Sequence, residues 1–530
     1  MTLAIAGLGG YVPRYRLERE ELERAWDGVR AGGIERIAVP DGDEDALTMA
    51  YEAATAALSA AGTPPEVIER VLVATTTPPL EEEGMGARLC SSLGFDAGTV
   101  QLSASTAAGV TALCTAFEGA KPTLVVASDA PSGTPESNVE HASGAGAGAL
   151  VLTPTGNGTV CDWTSTTDPN PGVRFRPAGN DRTHGLGITA SDRRAYRETL
   201  ASVRESLEYD GDDLDAAAVN APTVGYPSGA EAALSVPADA VKAGTVVSDV
   251  GDAGTAAPLL GLTSAVSEGA SAVLVVGYGG GSDAAGCVLD CDSVPTRLRV
   301  AGTDTVSYPQ YLRLRGELTP GEPDGGGAYV SLPTWRRSLP QRHRLVAGRC
   351  ECGALNLPPD GACTECYELS SCEMVALAGT GTVEAATVIE AGGAPPEFLE
   401  QQARAGAFVS AIVALDGPDE TDGSNRTERS GEDESVAGED SSASGDSGAD
   451  DGSDAREESA VSDGSGDGGG SDTAESSAEG DTVSLPMQVV TDDETAVSIG
   501  TRVTTTIRQI YTQEGLPRYG RKAIPVADRR

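Results

Sequence analysis

The sequence STAAGVTALCTAFEGAKPTLVV at residues 105–126 returns, with one inserted residue, as GTAAPLLGLTSAVSEGASAVLVV at residues 254–276. Each copy begins with small residues that suit a closely packed helix. Each ends in a short apolar, β-branched run that suits a buried strand. A helix leading into a strand, used twice, predicts two related α/β halves in one chain.

Further helices and strands alternate around the repeat. We predict an Ala-rich helix at about 45–61, a strand at 71–75, a helix at about 193–209 and a strand at 216–219. This alternation is typical of a layered α/β architecture. The alternative is a Rossmann-like sheet without duplication, but GxGxxG is absent where that fold needs it.

The composition indicates a multidomain, strongly acidic protein. The 530 residues exceed a single core and predict three or four domains, and 39% hydrophobic content is enough to fill them. The net charge is −43, and only three of the 37 basic residues are lysines. Acidic residues spread along the chain favour adaptation to high salt, where screening weakens surface repulsion. An ordinary acidic protein is the alternative, and the charge argues against a nucleic-acid partner.

The first ten residues lack a basic region and a cleavage site, and no apolar run approaches the roughly 18 residues that span a bilayer. We therefore expect a cytoplasmic protein without a membrane segment. In that compartment clustered cysteines are more often metal ligands than disulfides.

Four motifs resemble the archaeal 3-hydroxy-3-methylglutaryl-CoA (HMG-CoA) synthases of the thiolase superfamily. They are GLGGYVPRYR at 7–16, SGAGAGA at 143–149, GYGGGSD at 277–283 and YPQYLRLR at 308–315. The resemblance covers residues 1–330 and implies a duplicated five-layer thiolase-like fold, with halves at 1–165 and 166–330. It also implies a homodimer, by analogy.

The same resemblance implies a degenerate catalytic site. The family acylates a cysteine at a helix start, because the helix terminus lowers the thiol pKa and stabilises the oxyanion. Ala104 stands at that position here, and alanine cannot be acylated. Thr76 stands at the family's acid/base glutamate, Asn220 at its histidine and Asp252 at its oxyanion-binding asparagine.

Two serines and one cysteine are candidates for a replacement nucleophile. Ser103 and Ser105 flank Ala104, but a serine needs an adjacent base. Small-residue packing of the helix start is the alternative role of both serines. Cys114 is more simply a buried small hydrophobe. The sequence holds only three histidines that could act as bases, His141, His184 and His343. Neither His141 nor His184 has a visible partner, and a surface or structural role is the alternative for both.

Four cysteines have the number and spacing of a structural zinc site. Cys350 and Cys352 form a CxC pair, and Cys363 and Cys366 form a CxxC pair. Four thiolates suit tetrahedral zinc, although the CxC knuckle must be unusually tight. Cys372 could replace one ligand, and a metal-free degenerate ribbon is the alternative.

Strands are predicted after the cysteines at 379–389, 407–415, 485–490 and 501–507. With the cysteines, this region resembles the zinc-ribbon and OB-fold module that accompanies thiolase-superfamily enzymes. The resemblance implies a helical lead-in and ribbon at 331–375 and an OB-fold barrel at 376–417 plus 482–530. In that family the module binds CoA or acyl-CoA and bridges condensing enzymes. Residues 418–481 are acidic and small and predict a disordered insertion, solvating or partner-binding.

Three functions remain to be compared. The first is a non-catalytic acyl-CoA-binding protein that acts as scaffold or partner of an active thiolase or HMG-CoA synthase in isoprenoid or lipid metabolism. The second is an active acyltransferase of the HMG-CoA synthase type with a non-standard nucleophile. The third, binding of single-stranded nucleic acid by the barrel, is opposed by 4% aromatic content and the negative charge.

Overall fold

A computed structural model describes residues 3–29, 31–187, 189–221, 227–281, 283–318, 330–369, 371–390, 392–418, 482–491 and 494–526. The predicted disordered insertion lies outside these residues from position 419 onward. In the described part of the chain, no helix combines the length and the apolar character that crossing a bilayer requires.

The strands, in chain order, are β1 (Ala4–Val12), β2 (Tyr15–Glu18), β3 (Arg36–Val39), β4 (Arg70–Ala74), β5 (Gly98–Leu102), β6 (Thr123–Asp129), β7 (Gly146–Thr153), β8 (Thr159–Thr167), β9 (Ala216–Val219), β10 (Ala272–Gly279), β11 (Asp283–Asp290), β12 (Thr296–Val300), β13 (Asp304–Thr305), β14 (Val346–Arg349), β15 (Leu355–Asn356), β16 (Glu373–Ala376), β17 (Thr380–Ile389), β18 (Phe408–Asp416), β19 (Thr482–Val489), β20 (Arg502–Gln513) and β21 (Leu516–Pro525).

The α-helices, in chain order, are α1 (Arg19–Ala25), α2 (Ala46–Ala61), α3 (Gly86–Leu93), α4 (Ala108–Phe117), α5 (Asn138–Ala142), α6 (Thr189–Ser206), α7 (Ala230–Leu234), α8 (Ala238–Ala243), α9 (Val247–Val250), α10 (Ala257–Ser267), α11 (Tyr308–Leu314), α12 (Leu332–Arg337), α13 (Leu339–Arg344) and α14 (Leu399–Ala405).

Two sheets carry the predicted duplication. The first has the strand order β12-β1-β7-β6-β4-β5, and the second has the order β8-β11-β10-β9. Within each, the four matching strands form two antiparallel pairs followed by one parallel pair. The second sheet therefore repeats β1-β7-β6-β4 in both order and direction, which confirms the internal repeat.

The two repeated helices form the central layer. α4 packs on β4 and β6 of the first sheet and on β10 and β11 of the second, and α10 packs on β1, β7, β9 and β10. One apolar core joins α4, α10 and the facing sides of both sheets. α2 covers the outer face of the first sheet, and α6 covers the outer face of the second. The layers therefore alternate helix, sheet, helix, sheet, helix.

Small residues let α2 lie unusually close to β1. A Cβ atom on Gly9 would come within 2.3 Å of the Ala53 carbonyl oxygen, so only glycine fits there. The helix begins with a capping box, in which the Asp45 side chain accepts from the Thr48 amide and the Thr48 hydroxyl accepts from the Asp45 amide. It ends at Gly62, whose φ of 59° is left-handed.

The C-terminal region forms a closed five-stranded barrel preceded by a small cysteine-bearing sheet. The barrel order is β17-β18-β19-β21-β20, with a parallel contact between β19 and β21. The small sheet has the order β15-β14-β16. The helical lead-in predicted at the start of 331–375 is found as α12 and α13, and the predicted barrel strands are found as β17, β18, β19 and β20.

The barrel and the first domain share a buried interface. Ile507 of β20 and Tyr519 of β21 belong to the same apolar core as α2. Arg508 ion-pairs with Glu52 and Glu44 at 3.0 Å each, and Lys522 ion-pairs with Asp43 at 2.7 Å. Burying this many charges is tolerable only because each has a partner.

Two predicted domain boundaries fall inside strands. The boundary between 165 and 166 cuts β8, which begins at Thr159 and pairs with β11, so the second half begins earlier. The boundary between 375 and 376 cuts β16. The link between β7 and β8 is the short turn-forming run PTGNG at 154–158, a local signal that the predicted boundary overlooked.

Candidate functional site

A cavity of about 610 Å³ lies beside the segment that leads into α4. Thr76, Ala104, Ser103 and Ser105 all line it, so the structure brings these predicted residues together. A cavity of this size is ordinary for a small-molecule site. Ala104 is exposed to it and lies four residues before the first residue of α4.

Thr76 is held by a carboxylate that the sequence analysis missed. Asp129, fully buried at the end of β6, accepts from the Thr76 amide at 2.6 Å and from the Thr76 hydroxyl at 2.9 Å. The same carboxylate accepts from the Thr255 amide at 2.8 Å, beside α10. Asp129 therefore ties the two halves together at the cavity. An acidic residue ending an apolar strand of the repeat was the available signal.

Asp252 lies behind the cavity rather than in its wall. Its carboxylate pairs with Arg174 at 2.5 Å, and Arg174 lines the cavity. The turn after Asp252 requires glycine, because Gly254 has φ +57° and its Cβ would lie 2.2 Å from the Asp129 carboxylate. Arg174 comes from an irregular loop, so no helix or strand pattern pointed to it.

Asn220 has a structural contact and is not among the described residues that line the cavity. It is 4% exposed, donates to the Tyr278 carbonyl at 2.8 Å and accepts from the Tyr278 amide at 2.7 Å. The Thr106 hydroxyl donates to the same carbonyl at 2.7 Å. Asn220 thus joins the end of β9 to β10, and the shared Tyr278 carbonyl also holds Thr106 of the segment before α4.

No histidine is among the described residues that line this cavity. His141 is 1% exposed and lies in α5, and the ring of His184 lies 6.1 Å from the ring of Phe175. His343 is 3% exposed, and burial followed by nearby arginines lowers its pKa to about 4. Cys114 is buried as predicted, and burial raises its pKa to about 12.

Ser105 has one acidic neighbour. Its hydroxyl donates to the Asp283 carboxylate at 2.7 Å, and its oxygen accepts from the Ala107 amide at 3.2 Å. Ser103 is exposed and accepts from the Gln101 side chain at 3.1 Å. A carboxylate is a weak base for a serine hydroxyl, because the two pKa values lie far apart.

Charged residues of both signs line the cavity. Glu81, Glu82 and Glu83 form one exposed rim, and Arg174 and Arg176 lie in the wall. Arg88 pairs with Glu83 at 2.6 Å and donates to the Pro517 carbonyl of the barrel at 3.2 Å. The rim is therefore connected directly to the C-terminal barrel.

The four predicted cysteines form a second site. The sulfur atoms of Cys350, Cys352, Cys363 and Cys366 all lie within 4.8 Å of one another. Two pairs, Cys350 with Cys366 and Cys352 with Cys363, are each 3.6 Å apart. Zinc with four thiolates at about 2.3 Å places its ligand sulfurs about 3.8 Å apart, so the cluster could hold such an ion.

The surroundings of the cluster suit thiolate ligands. The backbone amides of Cys366 and Glu365 lower the pKa of Cys363 to about 6. Asn356, buried on β15, contacts the Cys363 sulfur at 3.7 Å and accepts from the Thr364 amide at 2.9 Å. Such outer contacts orient metal ligands.

The tight CxC knuckle is closed by a hydrogen bond from the Gly353 amide to the Cys350 carbonyl at 2.9 Å, with Gly353 at φ +97°. Cys372, the residue before β16, packs against the cluster and is not one of the four clustered sulfurs.

The two sheets, the paired central helices and the cavity beside α4 define a thiolase-like domain over the first 318 residues. No protein-family model matches the chain.

The hydroxymethylglutaryl-CoA synthase of Thermococcus gammatolerans is 29% identical over 329 residues, covering 58% of this chain and 93% of that protein. The one from Caldivirga maquilingensis is 28% identical over 346 residues, covering 59% and 98%. Two solved structures share the fold, each covering 62% of this chain and 94% of theirs. One is an HMG-CoA synthase in complex with CoA, with a TM-score of 0.52 and 18% sequence identity. The other is MvaS in complex with 3-hydroxy-3-methylglutaryl coenzyme A, with a TM-score of 0.51 and 20% sequence identity. This part of the chain is therefore an HMG-CoA synthase-like domain with archaeal relatives.

Proposed function

We propose that this protein binds acyl-CoA in a degenerate HMG-CoA synthase-like site. In this proposal it acts as a scaffold or partner in acyl-CoA condensation, in isoprenoid or lipid metabolism. The observation that carries the proposal is the cavity of about 610 Å³, kept open beside α4 with Ala104 in its wall. The space beside Ala104 is open although no nucleophilic side chain stands at that position. The printed ligands of two structural relatives are CoA and 3-hydroxy-3-methylglutaryl coenzyme A.

The described contacts support the absence of acyl transfer. Thr76 donates its hydroxyl to Asp129, so it carries no base to the cavity. The Asn220 side-chain amide donates to the Tyr278 carbonyl and accepts from the Tyr278 amide, and the Asp252 carboxylate is paired with the Arg174 guanidinium. With alanine at position 104, that position offers no thiol to attack the carbonyl carbon of an acyl thioester.

The C-terminal part completes the proposal as a zinc ribbon followed by an OB-fold. Sulfur separations of 3.6 Å support a structural zinc at Cys350, Cys352, Cys363 and Cys366. A closed barrel of five strands supports the OB-fold. Zinc held by thiolates suits a reducing cytoplasm. We also propose that the protein forms a homodimer and binds a thiolase or HMG-CoA synthase, as the family resemblance implies.

One contact favours a second candidate, an active acyltransferase with a non-standard nucleophile. Ser105 lines the cavity and donates to Asp283 at 2.7 Å. A serine paired with a carboxylate could take an acyl group slowly. The first proposal is preferred because no histidine is among the described lining residues to relay the proton.

The test is incubation with radiolabelled acetyl-CoA and with acetoacetyl-CoA, following protein-bound label, free CoA release and CoA binding. We expect the wild type to bind CoA without label or turnover, and Ala104→Cys to become labelled, because the new thiol would lie at the family's nucleophile position. Ser202→Cys, on the exposed face of α6, is the control for non-specific acylation.

The outcomes separate the two candidates. Turnover by the wild type that disappears in Ser105→Ala would establish the acyltransferase and refute the scaffold. CoA binding with an unlabelled Ala104→Cys would refute the assignment of position 104. A wild type that binds no CoA or acyl-CoA would refute the proposed ligand.

A further inference from the structure

Two segments of this acidic chain are basic. Residues 325–350 contain five arginines and one histidine and no acidic residue, and residues 515–526 contain two arginines and one lysine and again no acidic residue. In a chain of net charge −43, two acid-free basic segments are unexpected. The structure brings them together, because α13 packs against β21.

Four side chains from these segments form what we call the arginine surface: Arg342, Arg344, Arg518 and Arg521. Trp335 anchors it, with the Arg342 guanidinium 4.2 Å and the Arg518 guanidinium 5.2 Å from its ring centre. Arg521 donates to the His343 carbonyl at 2.7 Å. These contacts hold Arg342, Arg518 and Arg521 around α13, and Arg344 is the last residue of the same helix.

The arginine surface has no acidic partner within the described residues. Arg508, by contrast, pairs with two glutamates at 3.0 Å, and exposed Arg194 pairs with Glu198 at 2.8 Å. Arg518 is only 4% exposed, yet its Nε atom is buried without a hydrogen-bond partner. A desolvated guanidinium without a counter-charge is costly, which indicates that an anion completes this site.

The local field agrees with this reading. His343 lies beneath the surface, and its pKa is lowered to about 4 first by burial and then by Arg521, Arg88, Arg344 and Arg342. Each of these cations disfavours a further positive charge. A negative ligand would relieve the same repulsion.

The arginine surface adjoins the cavity along α3. The exposed rim at residues 81–84 leads into α3, and α3 packs against α13. Arg88 on α3 contacts the rim through Glu83 and contacts the barrel through the Pro517 carbonyl, next to Arg518. A long ligand with one end in the cavity could therefore reach the arginines with the other.

We propose that the arginine surface binds the phosphate groups of a nucleotide-bearing ligand whose acyl end occupies the cavity. The planar guanidinium fork matches phosphate oxygens and binds them with two hydrogen bonds at once. The link to the cavity rests on the proposed acyl-CoA function. The phosphate site itself rests only on the arginines.

The test is calorimetric titration with four probes: CoA, dephospho-CoA, pyrophosphate and S-acetylpantetheine, which has no phosphate. The test variant is Arg344→Gln with Arg521→Gln. The control is Arg193→Gln with Arg194→Gln, two exposed arginines on α6 that give the same change in net charge. A separate variant, Arg518→Lys, keeps the charge and removes the fork.

We expect the test variant to bind CoA and pyrophosphate about tenfold more weakly, the scale of a lost charge-assisted contact. S-acetylpantetheine should bind all proteins equally, and the control should match the wild type. Rising salt should weaken CoA and pyrophosphate binding and leave S-acetylpantetheine unaffected. Arg518→Lys should lose affinity while keeping the wild-type melting temperature.

Unchanged CoA binding by the test variant would overturn the arginine surface and leave the acyl-CoA function standing. Pyrophosphate binding that the variant loses, with no binding of CoA or S-acetylpantetheine, would keep the phosphate site and end the acyl-CoA function. A wild type that binds none of the phosphate probes, or that prefers a single-stranded oligonucleotide to CoA, would overturn the proposal.

Discussion

Replacing Arg508 by alanine should undock the barrel from the first domain. Arg508, on β20, is 4% exposed at its side chain and pairs with Glu52 and Glu44, which are 0% and 2% exposed. It also donates to the Tyr11 hydroxyl at 3.2 Å. The alanine variant would leave these carboxylates buried with fewer counter-charges.

The expected cost is about 3–5 kcal/mol, the usual range for breaking a buried ion pair from one side. The same strand offers a matched control. Arg502 pairs with Asp416 at 2.7 Å, but the two side chains are 51% and 33% exposed. Solvent screening limits that pair to about 1 kcal/mol or less.

Amide hydrogen exchange followed by mass spectrometry measures the effect locally, which suits a chain of several domains that does not unfold in two states. For Arg508→Ala, exchange in β20, β21 and α2 should accelerate by roughly two to three and a half orders of magnitude, since about 1.4 kcal/mol corresponds to tenfold. Arg502→Ala should change it by less than about tenfold. Equal, small changes in both variants would refute the reasoning, because the buried carboxylates would then not depend on Arg508.

Three further predictions concern single sites. Cys363→Ser should lose the one zinc ion expected per chain, whereas Cys372→Ser, which changes a neighbour outside the cluster, should retain it. Metal analysis of the purified proteins measures this. Zinc retained by both variants would remove Cys363 from the ligand set. His343 titrates near 4 when folded, so as the pH falls from 6.5 toward 4 the unfolded chain takes up a proton that the folded chain refuses, and stability should fall. His343→Asn should flatten that part of the stability-pH curve, and an unchanged slope would exclude the histidine as its source. Gly254→Ala should lower the free energy of unfolding by more than the roughly 1–3 kcal/mol of backbone strain alone, because the new Cβ would lie 2.2 Å from the Asp129 carboxylate. Gly269→Ala is the control, since Gly269 has φ +102° and open space around it and should show the strain only. Equal shifts in the melting temperatures of the two variants would contradict this reasoning.

Local and repeated signals were sufficient for much of the fold. The repeat at 105–126 and 254–276 is found as α4 with β6 and α10 with β10, because small-residue helices and β-branched strands have strong local patterns. The helix predicted at 193–209 is shifted and begins at Thr189, since helix ends depend on capping and tertiary contacts.

The candidate sites divide in the same way. The cysteine cluster follows from short spacings along the chain, so the sequence was enough to find it. Three other contacts join residues roughly 50 to 180 positions apart, so no local pattern connects the partners. They are Thr76 with Asp129, Arg174 with Asp252, and Ser105 with Asp283.

The sequence by itself determined the repeated α/β elements, the acidic composition, the four cysteines and the alanine at position 104. Only the tertiary structure decided that Thr76 and Ala104 share a cavity, that Arg508 and Lys522 neutralise carboxylates of the first domain, and that two basic segments meet around Trp335. The physical reason is one of range. Helix and strand preferences act over a few residues, whereas a cavity, a buried ion cluster and a charged surface exist only once distant segments have packed and excluded water.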